Sequence, residues 1–454
     1  MRICICGTGY VGLTTGVCLG FLGHDVACLD TDEAKVASLQ RGESPIYEPG
    51  LAELMGAAAG KVRYTTDADE AMLGAEVVFI AVGTPPMDTG EPDLRYLRSA
   101  AESIGQRLGD GFVVVVNKST VPIGSGNWVG SIIRESFERK HGKKADGHFA
   151  VASNPEFLRE GAAIGDSLYP DRIVLGSDSA QALEVMYRLY KPVVEQNFAA
   201  PPFAPRPEGV AAVPLVTTDL ASAELIKYAA NAFLALKISY INEIGSLAER
   251  VGADISMVAK GIGLDRRIGP RFLQAGLGWG GSCFGKDTSA LIATAADYGL
   301  TMPIVAAARE VNRRQRERVI EKLLGELKIL KGRTVGLLGL AFKPQTDDLR
   351  DAPALDIARG LIDKGCRVVA HDPVAMERFR KEYGGAEVKL AAHAEDVAEE
   401  ADAVVLVTEW TEYSDLNWAK MASAMRNPLV LDGRNFLDGK KLSAAGLRVH
   451  RVAG

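Results

Sequence analysis

The sequence predicts an α/β protein in which two doubly wound domains are joined by a helical middle domain with a long central helix. A strand–turn–helix–strand pattern opens the chain, a proline-free helical pattern occupies residues 221–251, and a second strand–turn–helix–strand pattern begins at residue 334. Strands that alternate with helices are typical of a parallel sheet covered on both faces. We expect domains at residues 1–213, 214–315 and 316–454.

The composition is that of an ordinary globular protein. The chain has 454 residues, of which 47% are hydrophobic and 24% charged, and its net charge of −6 offers no general basic field for nucleic acid or an anionic membrane. No run of about 18 apolar residues occurs, and no basic segment precedes the apolar start, so neither a membrane span nor a signal peptide is predicted. We therefore expect a cytoplasmic protein with neither nucleic acid nor membrane as a partner.

The cysteines show no metal-binding spacing. None of the six forms a CxxC pair or a His/Cys ligand set, so no metal is expected. Cys4, Cys6 and Cys28 lie in strand-like runs and Cys18 lies in a helical run, which predicts buried packing for these four. Only Cys283 has the surroundings of a reactive thiol.

The opening pattern has the features of a dinucleotide-binding unit. Residues 2–6 are a predicted strand, and Gly7, Gly9 and Gly12 supply a GxGxxG turn before a helical run. The glycines permit a tight turn and the approach of a pyrophosphate to the helix N-terminus. Asp30 ends the second strand about 20 residues on, where a carboxylate binds the adenosine ribose and repels a 2′-phosphate. The sequence therefore predicts a Rossmann-like domain that prefers NAD to NADP.

Two further strands, at residues 76–82 and 112–117, end in turns rich in hydroxyl groups and proline. The first turn, residues 83–86, includes Thr84, and the second includes Thr120. Because ligands bind beyond the carboxyl ends of parallel strands, we expect these turns to line the nicotinamide side of the cofactor. Simple strand termination is the alternative.

Two segments between the predicted elements indicate their roles less clearly. After a short strand at residues 149–152, Glu156 and Glu160 lie four residues apart and could share one face near the cofactor or belong to a solvated turn. Residues 199–213 are rich in proline and alanine, which predicts a surface loop or linker.

The helical pattern at residues 221–251 contains Lys227 and Asn231 on one face, surrounded by apolar residues. An unpaired ammonium in a buried helix is costly, so Lys227 needs a partner. We interpret the pair as functional, and a solvated helix face is the weaker alternative.

Residues 278–287 combine paired glycines with Cys283, Lys286 and Asp287, and an apolar helical run follows at residues 290–296. Glycines allow the backbone to approach a ligand, and a cysteine at a helix start is favoured as a thiolate by the oriented N–H groups. Lys286 adds a cation and Asp287 lies one turn on, so we expect thiol, ammonium and carboxylate to converge. The alternative is a glycine turn with a small buried cysteine.

The last third of the chain begins as the first does. A predicted strand at residues 334–338 is followed by a helix at 354–364 and a strand at 367–370, and residues 403–407 parallel the strand at 76–82. A GxGxxG motif is missing from this repeat. We therefore expect a second doubly wound domain fitted to a different nucleotide.

Residues 7–12, 156–160, 224–231, 278–287 and 342–344 occur in the order seen in one known family. Over essentially its whole length the chain resembles the UDP-glucose/GDP-mannose dehydrogenase family, most closely its branch acting on UDP-glucose. The resemblance implies NAD-dependent oxidation of the sugar C6 alcohol to a carboxylate in two steps, giving UDP-glucuronate for polysaccharide biosynthesis. It also implies that Cys283 holds the aldehyde as a thiohemiacetal and then as a thioester, which water hydrolyses.

The resemblance further implies roles for single residues. Lys227 corresponds to a base or oxyanion stabiliser, Asn231 to its hydrogen-bonding companion and Asp287 to a residue that positions water. Thr120 and Glu160 correspond to a water-holding pair. The positions expected to contact NAD are Gly7, Gly9, Tyr10, Val11, Gly12, Asp30, Lys35, Thr84, Thr120, Glu160, Lys286 and Arg350. Those expected to contact the nucleotide sugar are Glu156, Phe157, Leu158, Arg159, Glu160, Lys227, Asn231, Phe272, Leu273, Gln274, Ala275, Gly276, Gly280, Lys343 and Arg434, with Arg267 reaching a neighbouring subunit.

Two features depart from the family pattern. Gly285 stands where proline is usual, which predicts a looser turn after Cys283, and residues 199–213 resemble an insertion. We expect a homodimer formed through the helix at residues 221–251.

Three alternatives to this function remain. The first is the same chemistry on GDP-mannose or UDP-N-acetylmannosamine. The second is a single-hydride dehydrogenase of the 6-phosphogluconate or hydroxyacid type, which explains neither Cys283 nor the second α/β domain. The third is a non-catalytic nucleotide-sugar-binding protein, against which the presence of Lys227, Asn231, Cys283 and Asp287 argues.

Overall fold

The computed structural model describes residues 1–85, 87, 91–384 and 387–452. The chain divides into two compact units, the first formed by Met1–Ala229 with Ser289–Asp297 and the second by Ala230–Thr288 with Tyr298–Gly454. Each unit contains its own sheet, and the long helix Leu220–Val251 contributes residues to both. The predicted class, two Rossmann-like sheets with a helical middle region, is confirmed. The three predicted domain boundaries stay a prediction.

The first unit is built on a largely parallel sheet. Its strands are β1 (Arg2–Cys6), β2 (Asp25–Leu29), β3 (Val62–Thr65), β4 (Val77–Ile80), β5 (Val113–Asn117), β6 (Phe149–Ser153), β7 (Ile173–Gly176) and β8 (Leu215–Thr218). Their order is β3-β2-β1-β4-β5-β6-β7-β8, and β7 pairs antiparallel with β6. The order reverses between β1 and β4, and at such a reversal the carboxyl ends of the strands form a ligand crevice.

The helices of this unit cover both faces of the sheet. They are α1 (Tyr10–Phe21), α2 (Glu33–Gln40), α3 (Leu51–Ala57), α4 (Ala68–Met72), α5 (Arg95–Arg107), α6 (Ser125–His141), α7 (Ala163–Leu168) and α8 (Ala180–Val194), followed by the start of α9 (Leu220–Val251). Alternate residues of β1 serve opposite cores, with Ile3 and Ile5 on one face and Cys4 and Cys6 on the other. The predicted burial of Cys4, Cys6, Cys18 and Cys28 is confirmed.

The second unit repeats the plan of the first. Its strands are β9 (Thr334–Leu338), β10 (Arg367–His371), β11 (Val388–Leu390), β12 (Ala403–Leu406), β13 (Leu429–Asp432) and β14 (Arg448–Arg451), in the order β11-β10-β9-β12-β13-β14. All the pairings in this sheet are parallel. Helix α11 (Phe284–Asp297) begins in this unit, and its residues Ser289–Asp297 belong to the first. The other helices are α10 (Ile255–Gly263), α12 (Pro303–Leu327), α13 (Pro353–Asp363), α14 (Met376–Tyr383), α15 (Trp418–Ala424) and α16 (Gly439–Ala444), with short 3₁₀ turns at Ala394–Ala398 and Thr411–Asp415. The predicted internal repeat is therefore confirmed.

Helix α9 begins within one residue of the predicted start and ends at the predicted residue. It buries Lys227 and Asn231, which are 4% and 8% exposed. On its outer face it leaves a stripe of apolar side chains between 43% and 67% exposed, formed by Leu225, Phe233, Tyr240, Leu247 and Val251. Such a stripe is unusual on a helix that faces only water.

Residues 199–213 contain no helix or strand, as predicted for a loop. The loop is nevertheless fixed to its unit, because the Tyr169 hydroxyl donates to the Ala204 carbonyl at 2.9 Å and Arg206 donates to Gln196 at 3.0 Å. Among the described residues, no helix has both the length and the apolar character needed to cross a membrane.

Candidate active site

The glycine turn after β1 has steric reasons for its composition. Gly7 has φ +99°, and a Cβ there would lie 2.7 Å from the carbonyl oxygen of Ala81. A Cβ on Gly12 would collide with the carbonyl oxygen of Gly7. Gly9 faces open space and is the N-cap of α1, whose first turn, with Tyr10 and Val11, has no side-chain cap. The N–H groups of this helix start can therefore receive an anion such as a pyrophosphate.

Asp30 is held at the end of β2 by donors from the glycine turn. Its Oδ2 accepts hydrogen bonds from the backbone N–H and the hydroxyl of Thr8, at 2.8 and 2.6 Å, and from Lys35 Nζ at 3.0 Å. Burial alone would raise the pKa of Asp30, but these hydrogen bonds outweigh it and hold the pKa below its ordinary value. Asp30 is therefore an oriented carboxylate of the kind that binds a ribose.

The corresponding acid of the second sheet, Asp372 after β10, is used differently. It is fully buried, and both of its oxygens are occupied by donors. These donors are the backbone N–H groups of Leu340, Ala341, Val374 and Ala375 and the indole N–H of Trp410, at 2.8 to 3.2 Å. A carboxylate with five donors has no lone pair to offer a ribose. The second sheet therefore cannot use this acid to bind a dinucleotide.

The hydroxyl-rich turns after β4 and β5 bond to each other. The Thr84 hydroxyl donates to the Thr120 carbonyl at 2.9 Å, and the Ser119 hydroxyl donates to the Val82 carbonyl at 2.8 Å. The hydroxyls of Thr84 and Ser119 thus connect the turns after β4 and β5. This contact agrees with the strand-terminating role that the sequence left open. A ligand-contacting role for Thr84 and Thr120 stays a prediction, and Pro86 of the first turn lies outside the described residues.

Lys227 finds its partner in Glu156. Lys227 Nζ donates to Glu156 Oε1 at 2.8 Å, and the two side chains are only 5% and 6% exposed. The second oxygen of Glu156 accepts the N–H of Leu158 at 2.7 Å. Burial would raise the pKa of Glu156, but the charge and hydrogen bond of Lys227, together with the Leu158 N–H, outweigh burial and lower that pKa. The unit thus contains a buried ion pair at the end of β6.

The segment from Glu156 to Glu160 is not helical, so the four-residue spacing does not bring the two carboxylates onto one face. Glu156 is buried against Lys227, while Glu160 acts electrostatically on Tyr10 of the glycine turn. Lys227 Nζ lies 5.5 Å from the centre of the Phe157 ring. Arg159 points elsewhere, in an exposed ion pair with Asp166.

Glu48 connects the glycine turn to this segment. Its carboxylate accepts the N–H groups of Gly161 at 2.6 Å and Ala163 at 2.7 Å, and it also accepts the Tyr10 hydroxyl. Nothing in the local sequence around Glu48 indicated this contact. Its chain separation from Gly161, 113 residues, explains why.

The loop before Cys283 is clamped by α12 of the same unit. Asn312 accepts the Trp279 N–H at 2.7 Å and donates to the Trp279 carbonyl at 2.9 Å, and Arg316 donates to that carbonyl at 2.9 Å. A Cβ on Gly278 would collide with Asn312, and one on Gly281 would lie 2.7 Å from the Phe342 ring. The glycines therefore let the loop pack tightly against its supports.

Cys283 immediately precedes α11 and is its N-cap residue, because its carbonyl accepts the Asp287 N–H at 2.8 Å. It is partly exposed, whereas the other five cysteines are buried. Its Sγ lies 3.6 Å from the Ser282 hydroxyl oxygen. The predicted position of the thiol at a helix start is confirmed.

Asp287 is fully buried in a network of its own unit. Its Oδ2 accepts Asn231 Nδ2 at 2.6 Å, and its Oδ1 accepts Lys286 Nζ at 2.7 Å. The predicted contact between ammonium and carboxylate is therefore present, and the amide of Asn231 joins it. Lys286 directs its ammonium to Asp287.

Gly285 does not leave the first turn of α11 unsupported. Arg309 donates to the Gly285 carbonyl at 2.6 Å and to the Thr288 hydroxyl at 2.7 Å. The Thr288 hydroxyl in turn donates to the Phe284 carbonyl at 2.6 Å. The looser turn expected from glycine at this position is therefore offset by Arg309.

Two of the residues expected to bind the nucleotide sugar, Arg434 and Lys343, contact other groups of the protein. Arg434 donates to the carbonyls of Val407 at 2.7 Å and Gly278 at 3.0 Å, and it pairs with Glu409. Lys343 Nζ lies 5.5 Å from the centre of the Phe342 ring.

Two exposed arginines among the expected contacts pair with nearby carboxylates. Arg350 forms a two-pronged ion pair with Asp348, and Arg267, 89% exposed at its side chain, pairs with Asp265. Both lie in the second unit, although Arg350 was expected to contact the cofactor.

The segment from Phe272 to Gly276 runs beside the second sheet. Phe272 has φ +64°, and Leu273 and Ala275 are buried while Gln274 is exposed. Asn242 accepts the Gly276 N–H at 2.7 Å, and Asn435 donates to the Ala275 carbonyl at 3.0 Å. Gly280, the remaining expected contact, is buried.

Sequence reasoning missed the supports of the thiol loop, Asn312 and Arg316. They lie among the arginines of α12, which suggest a solvated face. A signal was nevertheless present, since Ala308, Asn312 and Val319 recur at helical spacing and are all buried. Within the described residues, no group of three or more His, Cys, Asp or Glu side chains could hold a metal ion.

Comparison with known proteins agrees with this geometry. Models of the UDP-glucose/GDP-mannose dehydrogenase family match in three parts: its NAD binding domain at residues 1–194, its central domain at 221–314 and its UDP binding domain at 336–439. The chain is 43% identical to UDP-glucose 6-dehydrogenase TuaD of Bacillus subtilis, covering 99% of this chain and 93% of the relative. It is 44% identical to the UDP-glucose 6-dehydrogenase of Rhizobium meliloti, covering 99% and 98%.

A solved structure gives the same result. The UDP-glucose dehydrogenase of the archaeon Pyrobaculum islandicum superimposes with a TM-score of 0.88 at 38% identity, covering 99% of this chain and 97% of that one. With three successive family domains and near-complete coverage of its relatives, the chain belongs to the UDP-glucose/GDP-mannose dehydrogenase family.

Proposed function

We propose that this protein oxidises UDP-glucose to UDP-glucuronate, forming two NADH per sugar. Cys283 carries the proposal, because among the described cysteines it is the one that is not buried, and it caps a helix behind a clamped glycine loop. Oxidation to an acid through a covalent intermediate requires such a nucleophile, whereas an alcohol dehydrogenase that releases an aldehyde does not. Similarity to UDP-glucose 6-dehydrogenases supports UDP-glucose over GDP-mannose and UDP-N-acetylmannosamine.

The first unit has the groups that NAD needs. The uncapped start of α1 after Gly9 suits the pyrophosphate, and Asp30, oriented by Thr8 and Lys35, suits the adenosine ribose. The charge of Asp30 disfavours a 2′-phosphate. When bound, NAD would accept one hydride in each of the two oxidations.

Cys283 would keep the intermediate on the protein. Its thiolate adds to the carbonyl carbon of the aldehyde to form a thiohemiacetal, and after the second oxidation the sulfur holds the acyl group as a thioester. Attack by water releases the carboxylate and restores the thiolate. In total, one alcohol, one water and two NAD⁺ give one carboxylate, two NADH and three protons.

Five polar side chains would support this chemistry. Lys227 acts as base or oxyanion stabiliser, and Asn231 donates to the developing oxyanion. Asp287, fixed on both oxygens by Asn231 and Lys286, positions the hydrolytic water. Thr120 and Glu160 hold a water near the nicotinamide. Lys286 and Arg350 are proposed to contact NAD.

The nucleotide sugar is assigned to residues 272–276, Gly280, Lys343 and Arg434, together with residues 156–160. Arginine and lysine are the side chains expected beside a diphosphate. The Arg434 guanidinium donates to three backbone carbonyls, those of Val407, Gly278 and Phe342, and two of its five N–H donors remain for a phosphate.

The assembly proposed is a homodimer formed through α9. Its outer stripe, which includes Phe233 and Tyr240, is apolar and exposed in the single chain, and a second copy would cover it. Arg267, which is highly exposed, is assigned to a neighbouring subunit's site. A reducing compartment such as the cytoplasm suits a reaction that depends on a free thiolate. The domain boundaries proposed remain 1–213, 214–315 and 316–454.

The test is substitution of the nucleophile. Cys283→Ala should abolish UDP-glucuronate formation, while Cys366→Ala, which removes a buried thiol hydrogen-bonded to the Leu330 carbonyl, should retain it. Product would be measured by chromatography after incubation with NAD and UDP-glucose, GDP-mannose or UDP-N-acetylmannosamine. Acid formation by Cys283→Ala near the wild-type rate would refute the covalent mechanism, and acid from another sugar only would refute the assigned specificity.

A further inference from the structure

Glu48 is a buried carboxylate that the reaction described above does not use. It lies just before α3 and is 7% exposed. Its Oε2 accepts the Tyr10 hydroxyl and the Gly161 N–H, the latter at 2.6 Å, and its Oε1 accepts the Ala163 N–H at 2.7 Å. The Gly161 N–H also donates to the Tyr10 hydroxyl oxygen at 3.0 Å. One carboxylate therefore holds together two segments that are 151 residues apart in the chain.

The first of these segments is the glycine turn. Tyr10 is the first residue of α1 and follows Gly9, the end of the helix that is proposed to receive the pyrophosphate of NAD. Burial and the hydrogen bond to Glu48 raise the pKa of Tyr10, so its hydroxyl stays a neutral donor. The backbone of Tyr10 belongs to the helix and its hydroxyl is held by Glu48. The position of this side chain therefore depends on both.

The second segment continues from residues 156–160, which are assigned to the nucleotide sugar. Gly161 follows Glu160 directly, so the bond from Gly161 to the Glu48 carboxylate fixes the end of that assigned stretch. Arg159 is held to the same region, because Asp166 of α7 accepts its backbone N–H at 2.8 Å and its Nη2 at 2.6 Å. A shift of Gly161 would therefore move residues that are assigned to the sugar.

We propose that Glu48 is a positioning residue that couples the NAD site to the nucleotide-sugar site. NAD bound at the start of α1 would fix Tyr10, and through Glu48 it would also fix residues 160–163 before the sugar binds. The cost of ordering that segment then falls on the first ligand only, so each ligand should strengthen the binding of the other. Thermodynamic linkage makes the factor equal in both directions. The inference rests on the proposed function in assigning the sugar to residues 156–160.

The test measures how NADH changes the affinity of the protein for UDP-glucose. These two ligands cannot react with each other, because the oxidation requires NAD⁺. Calorimetric titration of UDP-glucose with and without saturating NADH gives two dissociation constants, and their ratio is the coupling factor. We expect a factor of about 5 or more in the wild type, within the usual range for coupled sites. A wild-type factor near one would overturn the proposal.

Tyr10→Phe cuts the link at the glycine turn. It keeps the aromatic ring and leaves Glu48 its two backbone donors, so the coupling factor should fall below about 2. A contact that NADH makes equally with and without the sugar does not change this factor. Tyr169→Phe is the matched control, since it removes the hydroxyl bond to the Ala204 carbonyl in the same unit and should keep the wild-type factor. An unchanged factor in Tyr10→Phe, or an equal loss in Tyr169→Phe, would overturn the proposal.

Glu48→Ala removes the whole carboxylate and should lower the coupling factor as far as Tyr10→Phe does. Combining the two substitutions should lower it no further, because both break the same link. Asp402→Ala controls for the loss of a buried carboxylate, one that accepts the Thr334 N–H at 2.9 Å and Arg333 Nη1 at 2.8 Å in the second unit, and it should keep the wild-type factor. A further loss in the double variant, or a loss in Asp402→Ala, would overturn the proposal.

A second measurement needs no sugar. The amides of Gly161 and Ala163 exchange their hydrogens with solvent when their bonds to Glu48 open. NADH alone should slow this exchange about 5-fold or more in the wild type and should not do so in Tyr10→Phe. Exchange that NADH leaves unchanged in the wild type would overturn the proposal. A wild type that does not bind UDP-glucose at all would refute the proposed function, whereas the exchange comparison tests the link through Glu48 separately.

Discussion

Asp30 offers a sharp test of how the cofactor is recognised. Asp30→Ala removes the acceptor for the ribose hydroxyls, and a hydrogen bond to a charged group contributes about 1.5–3 kcal/mol. We therefore expect NAD affinity to fall roughly 10- to 100-fold. Asp30→Ala also removes the repulsion of the 2′-phosphate of NADP. The ratio of the NADP to the NAD dissociation constant should therefore fall by more than the loss of NAD affinity alone would produce.

The same substitution leaves the Thr8 and Lys35 donors without their acceptor, so a control must separate folding from binding. Thr8→Val removes the 2.6 Å hydroxyl contact and keeps the carboxylate, which should cost about 1 kcal/mol of stability and preserve the NAD/NADP preference. Dissociation constants for both cofactors would be measured by calorimetric titration. An unchanged preference in Asp30→Ala would show that another group contacts the ribose and would refute the reasoning.

Two further predictions concern stability. Asn312→Leu removes a partner of the buried N–H and carbonyl of Trp279, so the free energy of unfolding in urea should fall by about 2–5 kcal/mol. The control Arg314→Leu, at an exposed ion pair, should lower it by less than about 1 kcal/mol. Equal losses in the two variants would contradict the role of Asn312 in holding the loop. Burial raises the pKa of Glu224 from 4.5 to about 7, so the folded state binds the extra proton and stability should fall as pH rises across that window. Glu224→Gln should lack this dependence. Relative to Glu224→Gln, the wild-type free energy of unfolding should fall by up to about 3 kcal/mol between pH 4.5 and 8. A difference between the two proteins that does not change with pH would contradict this prediction.

The elements that sequence predicted well are those specified by local patterns. The strand, glycine turn and helix from β1 to α1 are contiguous, and the glycines have local steric reasons. The position of Cys283 at the start of α11 was likewise predictable, because paired glycines followed by an apolar helical run are a local signal. Strands β3, β7, β8, β11, β13 and β14, of three or four residues each, were not predicted, because so short a stretch gives a weak pattern. Strands β4 and β12 are equally short and were predicted from their apolar runs.

The partners of the functional side chains were not predictable from one sequence. Lys227 clearly needed a partner, but Glu156 lies 71 residues away in the chain. The contact of Arg434 with the Gly278 carbonyl spans 156 residues. Lys118 was not among the residues predicted for the site, and only the fold brings Asn154 within 2.8 Å of its ammonium. Such contacts depend on tertiary packing, which periodicity and spacing do not specify.

The stoichiometry of NADH per sugar tests the central claim most directly. Wild-type protein would be incubated with excess NAD and limiting UDP-glucose until absorbance stops rising. If Cys283 retains the aldehyde until a thioester forms and is hydrolysed, two NADH must appear for each UDP-glucose consumed, with UDP-glucuronate as the sole sugar product. One NADH per sugar with free aldehyde would contradict the thioester route, and no NADH would contradict the assignment of UDP-glucose as substrate.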